Sequence, residues 1–210
     1  MARIVLNKIS IRNKLVNGIS TNKRFKGLAY NAAKTRLTAA SQEALRVYDS
    51  HVVTEELRAG AKNEDSVLGY GNLVAFLGLS DGDEAAEQVR NYLNSKFNPS
   101  SAMNPTPKFT QNNRGVSYTF EVEAPSLREI YDAFPAPDNS YNKSWVAVIE
   151  TGMGNFSYFV FNLAGFPKSR SGTGLQREKK RDWIDVNKSS PQIRWVSEVI
   201  ETFLDYFDTR

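Results

Sequence analysis

The chain has 210 residues, of which 40% are hydrophobic, 11% aromatic and 24% charged, with a formal net charge of +4 at pH 7. That is one generous domain or one domain with an appendage, and the composition is that of a globule with a real core rather than a disordered or low-complexity polymer. The absence of cysteine excludes disulfides, thiolate zinc sites and cysteine nucleophiles, and the single histidine, His51, excludes a multi-histidine metal site within one chain.

Residues 3–12 are short, rich in β-branched side chains and followed by Asn17-Gly18, so residues 1–20 read as an extended N-terminal arm or one strand. They hold neither the apolar stretch of a secretory signal nor the arginine-rich amphipathic helix of a mitochondrial presequence. Nowhere does an apolar run approach the roughly 18 residues that cross a bilayer.

From Thr21 or Asn22 a helical pattern runs through Phe25, Leu28, Ala29, Ala32, Leu37, Ala40, Ala44, Leu45, Tyr48 and Val52 to a stop at Gly60. A continuous helix of about 38 residues spans about 57 Å at 1.5 Å per residue. The globule expected for this length is only about 43 Å across. Such a helix must kink, with Thr38 to Ser41 the expected place, or project against something outside this chain.

Residues 72–79, Asn72 followed by a largely apolar run after Gly69-Tyr70-Gly71, read as a buried strand. Asp81 to Glu84 then start a helix with Ala85, Ala86, Val89, Leu93 and Phe97 on one side. After a polar loop from Asn98 to Pro107, residues 108–111 and 116–123 form a half-buried antiparallel hairpin, Val116, Tyr118, Phe120 and Val122 alternating with polar residues. Ser126 and Glu129 make a capping box for a short helix ending before Pro135. Trp145 to Glu150 read as a strand, Thr151 to Asn155 as a Gly-rich turn, and Phe156 to Phe161 as an aromatic run of either type. Residues 165–182 are basic, contain Gly and Ser, and read as a long exposed loop. A final helix, capped by Ser190 and opened by Pro191, carries Ile193, Val196, Val199, Ile200, Phe203, Leu204 and Phe207 on one face. The sum is an α+β fold: a long N-terminal helix and an amphipathic C-terminal helix on a small, mainly antiparallel sheet, as one domain over 21–210 behind the arm.

Catalytic chemistry finds little support. His51 sits where a histidine packs or caps. Asp81-Gly82-Asp83-Glu84 lacks the further ligands of a calcium loop and reads as helix capping. Glu55-Glu56 and the Glu121, Glu123 pair read as solvated surface. Gly152-Met153-Gly154 lacks the third glycine of a dinucleotide fingerprint, and Ser171-Gly172-Thr173-Gly174 lacks the Gly-Lys-Ser/Thr of a P-loop. Trp145, Trp183 and Trp195 sit in patterns that predict a core rather than a base-stacking platform. The reading is a non-enzyme without metal or cofactor.

Charge is the more telling signal. The net values are +9 for residues 1–42, which hold no acid, −7 for 43–162, +4 for 163–182 and −2 for 183–210. Separation of this kind serves a basic surface meeting phosphate, or complementary faces by which copies of the chain meet.

The stretches His51-Val52-Val53-Thr54-Glu55-Glu56-Leu57-Arg58-Ala59-Gly60 and Gly71 to Gly78 are followed in order by Pro125 to Tyr131, Ser144-Trp145, Ile149 to Gly152 and Ser169 to Gln176. In that order they resemble the neck and tail-completion structural proteins of tailed bacteriophages, over nearly all of the chain after residue 20. The resemblance implies an α+β unit that assembles as a ring between portal and tail tube, with copies of itself and other neck, portal or tail proteins as partners and passing contact with genomic DNA. It implies a virion protein of the head–tail junction, made in the host cytoplasm, with no membrane partner. The expected interface or channel-facing residues are Arg3, Lys8 and Arg12 in the arm and Lys168, Arg170, Arg177, Lys179, Lys180 and Arg181 in the loop. The alternative is a nucleic-acid-binding protein using the same two basic segments.

Overall fold

A computed structural model describes residues 18–19, 22–60, 73–112, 115–136, 144–151, 159–161, 174–176 and 193–208. In chain order these form α1 (Lys23–Ser50), α2 (Val52–Ala59), α3 (Leu73–Leu77), α4 (Gly82–Phe97), α5 (Pro99–Ala102), β1 (Lys108–Asn112), β2 (Gly115–Thr119), α6 (Leu127–Ala133), α7 (Trp145–Thr151), β3 (Phe159–Phe161), β4 (Gly174–Gln176) and α8 (Val196–Asp208). The fold is α+β and mostly helical, with antiparallel pairs β1–β2 and β3–β4. Among the described residues no helix is long and apolar enough to cross a membrane.

Two compact units divide the chain. The first comprises residues 1–39 and 97–123, so far as they are described. Its hairpin follows from the alternation in sequence: Phe109 lies opposite Tyr118 and Thr110 opposite Ser117. On one face the Phe109 and Tyr118 rings meet edge to face at 5.4 Å, and on the other the Thr110 and Ser117 hydroxyls are 2.6 Å apart. The Tyr118 hydroxyl donates to the Ile19 carbonyl at 2.8 Å, and Tyr30 of α1 meets Phe120 edge-on at 6.1 Å. The expected loop after α4 contains α5, because Asn98 Oδ1 accepts from the Ser100 amide at 3.0 Å and Pro99 supplies a helix-compatible first residue.

The second unit comprises residues 40–96 and 124–210, again so far as described. Here α1 buries Ala40, Ala44, Leu45 and Tyr48, and α4 buries Ala85, Ala86, Val89 and Leu93 at the expected spacing. Asp81 Oδ1 accepts from the Glu84 amide at 3.0 Å, the capping role that its sequence suggested. The Ser126–Glu129 capping box is present in both directions, the Ser126 amide donating to Glu129 Oε2 at 2.7 Å and the Glu129 amide to Ser126 Oγ at 3.3 Å.

Five expectations are corrected. The long helix breaks at His51, not between Thr38 and Ser41: His51 has extended backbone angles, and its Nδ1 accepts from the Val53 amide at 3.1 Å to start α2. With 28 residues, α1 is about 42 Å long and fits the expected globule, so its length alone demands no outside partner. Within the run at 72–79, Leu73–Leu77 form the short helix α3 rather than a strand; Gly78 closes it at φ 69°, with the Leu79 amide donating back to Val74 at 3.0 Å. Residues 145–151 are helix α7, started by Ser144, whose Oγ accepts from the Ala147 amide at 3.4 Å. Residues 174–176, inside the expected loop, form β4 opposite β3, which also settles Phe159–Phe161 as strand. The last helix starts at Val196, later than Ser190-Pro191 suggested, since residues 193–195 are not helical.

Candidate interaction surface

All nine basic residues expected at an interface, Arg3, Lys8, Arg12, Lys168, Arg170, Arg177, Lys179, Lys180 and Arg181, lie outside the described residues. The basic surface that the structure does describe is the first half of α1. Between Lys23 and Arg36 no residue is buried, and Lys23, Arg24, Lys26, Lys34 and Arg36 occur without an acid. Phe25 and Leu28 stand 48% and 58% exposed on this stretch. At helical spacing they form, with exposed Ala32, an apolar stripe that Arg24 flanks, while Lys26 falls in line with Tyr30, Ala33 and Leu37. Tyr30, Ala33 and Leu37, the residues more withdrawn from solvent, fall on a different side.

The second surface is α8, whose sequence contains Glu198, Glu201, Asp205 and Asp208 and no base. Val196, Val199 and Phe203 are fully buried, as the periodicity requires, but Leu204 is 40% exposed although the same pattern assigned it to the core face. Leu204 sits at the edge of that face, between it and Glu201 and Asp205. Arg194 pairs with Glu201.

A dense polar cluster fixes where α8 begins. The Glu150 carboxylate accepts from the amides of Trp195 and Ser197 at 2.9 and 3.0 Å and from Ser197 Oγ at 2.8 Å, so a side chain from α7 satisfies the open N–H groups of a distant helix. Trp195 is fully buried, donates its indole N–H to Thr54 Oγ1 at 2.9 Å, stacks on Tyr48 at 5.5 Å and lies 5.9 Å from Trp145. Tyr48 donates to the Ala86 carbonyl at 2.8 Å, and burial drives its hydroxyl far above the ordinary tyrosine range. With Nδ1 occupied as an acceptor, His51 donates from Nε2 to the Arg194 carbonyl at 3.1 Å. The histidine is a cap and a tie between chain segments.

Beside this core, Asp49 receives a two-pronged contact from Arg90 (Nε to Oδ1 2.9 Å, Nη2 to Oδ2 3.0 Å) and a third from Arg58 at 2.8 Å, while Arg58 also reaches Glu87 at 2.7 Å. Burial pushes the Asp49 carboxyl up, but the hydrogen bonds from Arg90 and Arg58 outweigh it and hold the group below the usual carboxylate range. Gly82 completes the joint: a Cβ there would lie 2.2 Å from the Leu57 carbonyl oxygen and 2.4 Å from Val74 Cγ2, so only glycine admits this approach of α4.

These arrangements are structural in their chemistry. Glu121 pairs with Lys108 on the hairpin, and Glu55 is exposed. Glu56 is a correction: it is buried, with Oε1 lacking a hydrogen-bond partner, where a solvated glutamate was expected. Trp145 and Trp195 are buried, so neither offers a base-stacking face, and Trp183 lies outside the described residues. Among the described residues no group of three or more His, Asp or Glu side chains is placed to hold a metal ion. Sequence reasoning missed the Asp49–Arg58–Glu87–Arg90 network and the capping role of Glu150, because their partners lie up to 41 and 47 residues away and leave no local signature. Gly82 gave no local signal either. The comparisons with known proteins add no relative: no family model, no curated protein and no solved structure matches the chain.

Proposed function

We propose that this chain is a non-enzymatic structural protein of the neck of a tailed bacteriophage, a ring-forming head–tail connector or tail-completion protein joining the portal region to the tail. The observation that carries the reading is the first half of α1, a stretch with no buried residue, two open apolar side chains and an acid-free set of bases. One chain leaves that surface uncovered, and an assembly covers it. Several residues that carry the resemblance serve packing and capping: Val53, Leu57, Val74, Ile130 and Ile149 are buried, and His51, Ser126 and Ser144 cap helices. A resemblance borne by such residues is one of fold and assembly.

In this reading the segment ahead of Gly18 and Ile19, which are helical where an extended arm over residues 1–20 was expected, adds to a neighbour, and Arg3 to Arg12 with Lys168 to Arg181 face the channel or clasp an adjacent ring. The partners are copies of the chain, other neck, portal or tail proteins and, in passing, genomic DNA. The place of action is the virion, after synthesis in the host cytoplasm. Labelling the protein in purified virions tests this directly: imaging should find it at the head–tail vertex, and its absence from particles would falsify the proposal.

The same bases favour a second reading, a nucleic-acid-binding protein. Neutralising six phosphates costs about 10³-fold in affinity between about 50 and 200 mM salt. A steep slope of that kind, shown by a chain that stays monomeric, selects the second reading. Phe25 and Leu28, apolar and central on the basic stretch, favour a protein partner.

A further inference from the structure

The chain has one histidine, and both nitrogens of its ring are engaged. His51 occupies the joint where α1 ends and α2 begins, with extended backbone angles and a side chain only 11% exposed. Nδ1 accepts from the Val53 amide at 3.1 Å, while Nε2 lies 3.1 Å from the Arg194 carbonyl, which can only accept. Both contacts hold together in one form of the ring alone, the neutral imidazole with its proton on Nε2. The Val53 amide belongs to the first turn of α2, where N–H groups have no partner within the helix, so the ring is what satisfies it. Nε2 also stands 3.8 Å from Glu198 Oε2 on α8, too far for a hydrogen bond from the neutral ring but close enough to attract a charged one.

We infer that His51 is a pH-responsive clasp: neutral, it caps α2 through Nδ1; protonated, it releases the Val53 amide and is drawn to Glu198 on α8. Protonation sets an N–H where the Val53 N–H needs a lone pair, so that contact cannot survive it. The tie to the Arg194 carbonyl does survive, because Nε2 donates in both forms of the ring. Acid therefore acts locally, loosening the first turn of α2 at its joint with α1 while the link to the segment ahead of α8 is kept. The other charged groups around the joint are engaged elsewhere or stand off. Asp49 on α1 is held by Arg58 and Arg90, Arg194 pairs with Glu201, and Glu150 of α7 accepts from the Trp195 and Ser197 amides. On α2 itself Glu55 is exposed and Glu56 buried, and among the described residues only Glu198 lies within ion-pair distance of the ring. Glu198 is about half exposed, so its pull on the charged ring is modest.

A single histidine gives a single imidazole spectrum, so the full chain can be read directly. In a two-bond nitrogen–proton correlation spectrum at about pH 7.5 the ring should carry its proton on Nε2 and none on Nδ1. Exchange protection of the Val53 amide, corrected for the intrinsic pH dependence of exchange, should then fall about fivefold between about pH 7.5 and 5.5, the loss of one cap. His51→Asn keeps a side-chain oxygen for the cap without a titrating ring, and its Val53 protection should be the same at both pH values. Glu198→Gln should show a smaller loss than the unmodified chain, since the charged ring then lacks its acid. Far-ultraviolet circular dichroism checks that both variants fold. A proton found on Nδ1 at the higher pH, equal protection at both pH values in the unmodified chain, or a loss that persists in His51→Asn overturns the clasp. A loss undiminished in Glu198→Gln overturns the part given to Glu198.

Discussion

The two halves of α1 share one helix and almost nothing else. From Lys23 to Arg36 no side chain is buried, and the charged residues are five bases. From Leu37 to Ser50, Leu37, Ala40, Ser41, Ala44, Leu45 and Tyr48 are buried, and the charges are Glu43, Arg46 and Asp49. The second half is held by what it packs against; the first is held by helix propensity, a cap at Asn22 Oδ1 from the Arg24 amide at 2.8 Å, the edge contact of Tyr30 with Phe120, and continuity with the second. A helix whose exposed half keeps Phe25 and Leu28 in water carries a surface suited to a partner, whereas its packed half is the framework that presents it. The comparison separates residues whose loss unfolds the chain from residues whose loss leaves it folded and alone.

Breaking the packed half should produce the largest effect. Tyr48→Ala removes a fully buried ring that stacks on Trp195 and bonds the Ala86 carbonyl, and is expected to cost about 4 kcal/mol in chemical denaturation. Gly82→Ala attacks the neighbouring joint from the other side. It forces a methyl group against the Leu57 carbonyl and should cost about 2–3 kcal/mol, read as a lowered midpoint with an unchanged denaturant slope.

Next comes Asp49→Asn, which keeps the shape and removes the charge that Arg58 and Arg90 share, at about 2 kcal/mol near neutral pH. The folded-state carboxyl is held below its ordinary value, so its contribution is fully present above about pH 4 and fades as pH falls through the folded value. Stability of the unmodified chain should therefore drop on acidification. The difference between it and Asp49→Asn should narrow in the same window; a gap that stays constant down to strong acid would show that the charge is not what the arginines hold.

The smallest stability effect belongs to the exposed half. Phe25→Ser and Leu28→Ser are expected to change unfolding free energy by no more than about 0.5 kcal/mol each while weakening assembly. Destabilisation on the scale of Tyr48→Ala would mean that these side chains belong to the framework, and the contrast between the two halves would be lost.

How far the sequence could be read follows from the range of the forces involved. The face of α4, the Ser126–Glu129 box, the Asp81 cap, the β1–β2 pairing and the capping character of His51 were legible because each depends on residues a few positions apart. The apolar runs at 72–79 and 145–150 were not. A segment buried on several sides has no polar face to reveal its period, and β-branched composition then suggests a strand wherever the surroundings have not yet been counted. Trp145, Val146, Val148, Ile149 and Glu150 are all buried in α7, which is why its pattern was mute. The usable signals were small: Ser144 one residue before α7 and Gly78 one residue after α3.

For the interaction surface, the sequence by itself determined the charge separation and the number of bases in the first 42 residues, because charge is a property of composition and needs no coordinates. It also determined that any chemistry must manage with one histidine and no thiol. Only the tertiary structure decided where the long helix breaks, that Glu56 is withdrawn from water, that Glu150 caps a helix 47 residues away, that Phe25 and Leu28 stay open, and that Leu204 is exposed while Val196, Val199 and Phe203 on the same helix are covered. Burial belongs to what folds over a residue rather than to the residue, and that covering comes from segments distant in the chain.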